Sequence, residues 1–237
     1  MGHKKLIRFE AIKSFPNVLQ YPEGMKGTWK NFFSNSHPIT LELACGKGEY
    51  TVALGRKYPG RNFIGIDLKG NRIWAGAKKA LDEQLKNVAF LRTQIERITD
   101  YFAPGEVGEI WITFPDPQLR LSRAKKRLTH PRFLRLYQQI LAPGGIIHLK
   151  TDSPDLYYFT LQVAVIYDLD IVQQSDDVYA MPDIQDDLTI KTYYESLDIA
   201  GSKKVHYLQL RLPENISIEK DEYLKQAISE SKEIGRG

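Results

Sequence analysis

Several acidic side chains close short apolar runs, and their settings narrow the chemistry they can do. The first run ends Glu42-Leu-Ala-Cys-Gly46-Lys-Gly48-Glu49. Gly46 and Gly48 let the backbone turn tightly and approach a ligand, because no Cβ intervenes. The third glycine of the dinucleotide fingerprint would fall at Thr51, so G-x-G-x-x-G is not met and a pyrophosphate cradle is disfavoured. Glu42 would repel phosphate and would suit a cofactor with a cationic sulfonium and a free amino group. A plain structural turn accounts for a G-x-G pair equally well. Asp67, nineteen residues after Gly48, ends the next run. It can accept hydrogen bonds from both ribose hydroxyls, or cap a helix.

Further along, Phe114-Pro-Asp116-Pro117 holds one carboxylate between two prolines that stiffen the backbone and remove two N–H donors. Lys150-Thr-Asp152 places another acid after an apolar run. Thr192-Tyr-Tyr-Glu195 sets a hydroxyl and a carboxylate three residues apart, as a helix cap or as a pair reaching toward a cleft. Tyr193 and Tyr194 either pack or stack on a base, and packing is the commoner role. Six Lys and Arg fall within 120–132, whereas 175–187 has five Asp and no base. The basic stretch is a solvated loop or a polyanion contact.

The elements that must hold these groups follow from hydrophobic pattern. Strands are predicted at 39–45, 62–68, 88–92, 109–114, 146–150, 169–173 and 205–212. Helices are predicted at 48–57, 70–85, 131–141 and 154–167, with a short one before Phe102 and a charged, helix-compatible tail after Pro213. Alternating strands and helices imply a parallel sheet covered on both faces, with ligands bound beyond the carboxyl ends of the strands. Residues 1–37 are predicted to be an N-terminal extension, 38–213 the main domain and 214–237 a charged C-terminal tail.

Composition sets the class. The 237 residues suit one decorated domain, with 42% hydrophobic residues and a net charge of +4. Cys45 is the only cysteine, which excludes an intrachain disulfide and a Cys-rich zinc site. The five histidines (His3, His37, His130, His148, His206) show no ligand spacing, so no metal is expected. The N-terminus lacks the apolar run of a secretory signal, and no stretch is long enough to span a membrane. A cytoplasmic, soluble monomer or homodimer is the expectation.

The glycine loop with an acid at the next strand end resembles class I methyltransferases that use S-adenosyl-L-methionine. The whole ordered set is narrower: Glu42-x-x-x-Gly46-Lys-Gly48-Glu49, Gly65-Ile-Asp67, Phe114-Pro-Asp-Pro117 with a basic run to Leu128, Gly144-Gly145, Lys150-Thr-Asp152 and Thr192-x-x-Glu195. It resembles the bacterial tRNA (guanine-N7-)-methyltransferase family, from about Gly27 to the last strand. The resemblance implies an α/β, Rossmann-like fold: a seven-stranded, mostly parallel sheet with an antiparallel last strand and helices on both faces. It implies transfer of a methyl group to N7 of a guanine in the tRNA variable loop. Glu42, Gly46, Gly48, Asp67, Gln94 and Asp116 take the cofactor positions, and Asp116 is also the catalytic one. Arg120, Asp152, Thr192 and Glu195 take the substrate positions.

Three departures stand out. The family usually has glycine at Ala44 and aspartate at Gln94. After Pro117 its Trp-Pro-Lys-Lys-Arg-His is replaced by Gln118-Leu-Arg-Leu-Ser-Arg123. A methyltransferase with an altered RNA or small-molecule substrate, or a silent RNA-binding homologue, are the competing readings. Guanine N7 carries a lone pair and no proton, so the chemistry asks for orientation and charge stabilisation rather than a general base. Arg123, Lys125, Lys126 and Arg127 are expected to meet RNA phosphates.

Overall fold

Short β-branched runs buried on both faces can only be the inner strands of a covered sheet. The computed structural model describes residues 2–234, so the end of the predicted tail, 235–237, lies outside the described residues. Among these, eight strands form one sheet: β1 (Val18–Gln20), β2 (Ile39–Leu43), β3 (Asn62–Asp67), β4 (Val88–Arg92), β5 (Val107–Thr113), β6 (Leu141–Thr151), β7 (Asp170–Ser175) and β8 (His206–Arg211). Their order is β1-β4-β3-β2-β5-β6-β8-β7. Strand order reverses beside β2, between β3 and β5. β8 runs antiparallel to both β6 and β7, and every other pairing is parallel.

The helices are α1 (Gly2–Ala11), α2 (Trp29–Phe33), α3 (Glu49–Lys57), α4 (Gly70–Asp82), α5 (Pro131–Gln138), α6 (Pro154–Ile166) and α7 (Asp221–Ile234). Two cores flank the sheet. On one face Tyr50, Val52 and Leu54 of α3 and Ile73, Ala77 and Ala80 of α4 pack on Phe63, Phe90 and Trp111. On the other, Phe133, Leu134 and Tyr137 of α5 and Leu156, Phe159 and Val163 of α6 pack on the opposite side chains of the same strands. The fold is the expected Rossmann-like one.

The sheet has eight strands where seven are predicted. The additional strand, β1, pairs with β4 at the edge and holds only three half-buried residues, too few for a period to register. The same N-terminal stretch supplies Trp29, fully buried, stacked on Phe102 with ring centroids 5.2 Å apart and donating Nε1–H to the Tyr101 carbonyl at 2.9 Å. A second difference lies after α5, which stops at Gln138 while β6 already begins at Leu141. Leu141 pairs with Val107 and Ile146 with Glu109, so the Pro143-Gly144-Gly145 turn is a bulge inside β6 rather than a break before it. No helix among the described residues is long and apolar enough to cross a membrane.

Candidate active site

The carboxyl ends of β2, β3, β5 and β6 meet at the switch point, and a cleft of about 650 Å³ opens there. Asp67 from the end of β3, Asp116 from the loop after β5 and Asp152 just beyond β6 all line it. Ala44, Phe114 and Leu119 add apolar wall. Three acids far apart in the chain are thus gathered by three strand ends.

Each acid is held. Asp67 accepts from Gly46 N–H at 2.9 Å and from Lys69 N–H at 2.7 Å, which ties the glycine loop to the end of β3. Within that loop Gly48 has φ +70°, and a Cβ there would sit 2.4 Å from the Phe90 ring. Ala44 has φ +54°. A left-handed alanine costs roughly 1 kcal/mol, which is the physical reason for the glycine usual at this position. Asp152 accepts weakly from Ala200 N–H at 3.3 Å, and its carbonyl takes the Ser202 hydroxyl at 2.8 Å. These bonds draw Ile199 and Ala200 onto the cleft wall.

The Asp116 loop is bracketed by two left-handed residues, Phe114 (φ 45°) and Gln118 (φ 48°). Such conformations persist only where the surroundings over-determine them. Asp116 accepts from Gln118 N–H at 3.0 Å. Arg127 completes the clamp: its guanidinium donates to the carbonyls of Pro117 at 3.2 Å and Gln118 at 3.3 Å and lies 4.4 Å over the Phe159 ring. The residue is only 4% exposed. Arg127 is therefore turned inward, contrary to the expectation that it meets phosphates, because the loop carbonyls and the Phe159 face satisfy it. Arg120, Arg123, Lys125 and Lys126 are exposed on and beside a short 3-10 turn, Leu121–Lys126. Arg132 pairs with Glu96 at 3.1 Å, and His130 caps α5 by accepting from Arg132 N–H. Burial holds the His130 imidazole down to about 4, which keeps it neutral as that cap requires.

Other predicted residues stand off the cleft. Glu42, 3% exposed, accepts from the Thr51 N–H and hydroxyl at 2.8 and 2.5 Å and from the Thr113 hydroxyl at 2.9 Å. It closes the first turn of α3 beneath the glycine loop. Burial pushes its carboxyl up to about 7 despite those three donors. Gln94 is exposed beside a 3-10 turn after β4, and neither it nor Arg120 lines the cleft. The Thr192 hydroxyl accepts from Glu195 N–H at 3.1 Å, so this motif is a cap. The Glu195 carboxylate turns inward to the Lys150 ammonium at 3.1 Å and to the Tyr179 hydroxyl. Lys150, fully buried, also donates to the carbonyls of Leu188 and Ile190, and burial lowers its pKa. The pair anchors the segment that lays Tyr194 on the cleft wall against Gly46. Tyr193 points outward, 47% exposed, with the Lys47 ammonium 3.3 Å from its ring centroid. Arg127 and Lys150 were not singled out as supports by sequence, since each reads as one more base near a motif.

Among solved structures, a 16S rRNA methyltransferase named KamB has TM-score 0.59 at 15% identity, covering 83% of this chain and 99% of its own. A 30S ribosomal A1408 methyltransferase from an uncultured bacterium has TM-score 0.56 at 16% identity, covering 81% and 96%. Both likenesses concern the fold. A family model described as "Putative methyltransferase" matches residues 36–208. The tRNA (guanine-N(7)-)-methyltransferase of Bacteroides thetaiotaomicron is 45% identical, covering 94% of each chain. That of Porphyromonas gingivalis is 47% identical over 90% of this chain and 94% of its own, and that of Christiangramia forsetii is 48% identical over 90% and 100%. With the glycine loop, the clamped Phe114-Pro-Asp-Pro117 turn and Asp152 at one switch-point cleft, this chain belongs to the tRNA (guanine-N(7)-)-methyltransferase family.

Proposed function

We propose that this protein transfers the methyl group of S-adenosylmethionine to N7 of a guanine in the variable loop of tRNA, in the cytoplasm, as a monomer or homodimer. The observation that carries this reading is the convergence of Asp67, Asp116 and Asp152 on one cleft beside an apolar wall. The cleft fits the cofactor. Its acids suit ribose hydroxyls and positive charge, its apolar wall suits a flat base, and the glycine loop leaves the backbone open without forming a pyrophosphate cradle. Asp67, whose oxygens keep lone pairs beyond the two amides they accept, would hold the ribose. Ala44 and Phe114 would border the base.

When bound, S-adenosylmethionine supplies an electrophilic methyl on a sulfonium. The guanine N7 lone pair needs no proton removed, so no side chain has to act as a general base. What the chain supplies is orientation and a field. Positive charge develops on the guanine imidazole ring as the bond to N7 forms, and the Asp116 carboxylate, fixed by its clamped loop, stabilises it. Asp152 lies on the same wall and can accept from guanine N1–H and the N2 amine, which adenine does not offer in that pattern. Arg120 and its exposed neighbours hold phosphates outside the cleft, in the stretch that follows its lining residue Leu119, while Thr192 and Glu195 serve the substrate by shaping the wall that carries Tyr194. A guanine inside folded RNA must be splayed out to reach such a site. The body, 38–213, carries the reaction and the flanks support it.

Asp116 is exposed, so its truncation leaves the fold intact. Asp116→Ala is expected to lower kcat by about 10²–10³-fold, the range for losing one preorganised electrostatic group. Single-turnover transfer to an unmodified tRNA transcript measures it, and a rate within tenfold of wild type would remove Asp116 from the mechanism.

A further inference from the structure

A second cavity, about 350 Å³, lies beyond the glycine loop between α3 and α4. Small residues, Gly48, Ala53, Ala75 and Gly76, line it together with Val52 and Ile190. Its rim is basic: Lys47 from the loop, Arg56 from α3, Lys79 from α4 and Lys191 from the segment that leads into Thr192. Glu49 is the one acid lining it.

The three lysines among these cations differ from their neighbours. Lys78 pairs with Asp82 at 2.7 Å, and Lys57 pairs with Asp187 at 2.7 Å. Glu83, one turn beyond Lys79, is taken up by Arg56 through two nitrogens at 2.6–3.0 Å. Among the described residues, Lys47, Lys79 and Lys191 form no ion pair; Lys47 instead sits over Tyr193, and Lys191 lies 5.5 Å from the Tyr179 ring centroid. Three ammonium groups not paired to any carboxylate, against the single Glu49, give the groove a net positive charge that suits a compact anion.

Position identifies the anion. Ala44 lines the catalytic cleft and Lys47 and Gly48 line the groove, so one loop separates the two. Lys191 directly precedes the capped Thr192 turn, whose Tyr194 borders the cleft. The groove therefore opens one loop away from the cleft that would take the base. We infer that the α3–α4 groove binds a backbone phosphate of the RNA substrate, a contact separate from the basic 120–126 stretch. This inference rests on the tRNA reading above.

The test is binding of an unmodified tRNA transcript to the full chain across a salt series. Lys79→Gln with Lys191→Gln, both exposed positions, is expected to weaken binding about tenfold near 0.1 M salt. It is also expected to reduce the slope of log affinity against log salt by about two, one for each phosphate-facing cation removed. S-adenosylmethionine binding stays as in wild type, and the Lys→Arg pair retains tRNA affinity. An unchanged slope and affinity in the Gln pair, with normal binding by wild type, would overturn the groove alone. Wild-type chain that binds no tRNA would overturn the tRNA reading and the groove together.

Discussion

At the scale of single residues, positioning is as important as the acids themselves. Arg127 donates to two carbonyls of a loop whose ends are both left-handed, so its fork replaces the ladder bonds that loop lacks. Arg127→Lys keeps the charge and loses the fork. The expected result is a fall in kcat of up to about 10²-fold, the cost of a misplaced catalytic group, with the salt dependence of tRNA binding unchanged. A reduced salt slope with normal kcat would make Arg127 a phosphate contact instead. Glu42 provides a pH test. Its carboxyl is raised from 4.5 to about 7, so between these values the folded chain holds a proton the unfolded chain has lost. That contribution to stability is complete below pH 4.5 and is lost as pH rises through 7. Denaturant titrations of wild type and Glu42→Gln should show the wild-type advantage falling by on the order of 3 kcal/mol across that window. His130 acts in the opposite direction but is common to both proteins and cancels. A pH-independent difference would mean that Glu42 is ionised throughout. Asp67, Asp116 and Asp152 were legible in sequence because the ends of parallel strands converge. The inward turn of Glu42, Glu195 and Arg127 was not, because their partners, Thr51 and Thr113, Lys150, and the Pro117 carbonyl, are set by packing rather than by spacing.

At the scale of elements, the inner strands β2 to β5 and the helices between them follow the hydrophobic period closely, since each is buried on a face that sequence can count. Elements without such a period were hidden. β1 is three residues on a sheet edge, and the β6 bulge places Pro143 and Gly144 inside a strand they would ordinarily interrupt. α2 is only five residues long, yet its Trp29 is a core residue. Trp29→Ala should cost about 3–5 kcal/mol, the range for truncating a large buried aromatic, and lower the thermal midpoint correspondingly. A midpoint shift of under a degree would show that the 1–37 segment is only draped on the sheet. The turn from Thr192 to Leu197 combines a local Thr192 bond with one long-range bond from Glu195 to Lys150 of β6, so its role as a wall is visible only in three dimensions.

Over the whole molecule, a net charge of +4 on 237 residues says little about partners, and placement says far more. Four acids, Asp67, Asp116, Asp152 and Asp155, line the cleft against two bases, Lys69 and Arg72, and further bases gather outside it on the 120–126 stretch and the α3–α4 groove. The excess of acids in the cleft favours positive charge at the reacting centre, and basic margins favour a polyanion that carries the base. The rewritten Gln118–Arg123 stretch leaves the Asp116 loop clamped, so the loop that fixes Asp116 does not depend on the residue types that the family usually has there. The most direct measurement is methyl transfer from labelled S-adenosylmethionine to an unmodified tRNA transcript, followed by nucleoside analysis. Label recovered as N7-methylguanosine, absent when the variable-loop guanine is replaced, is the expected result; label at another atom, or no transfer by chain that binds both partners, would contradict it.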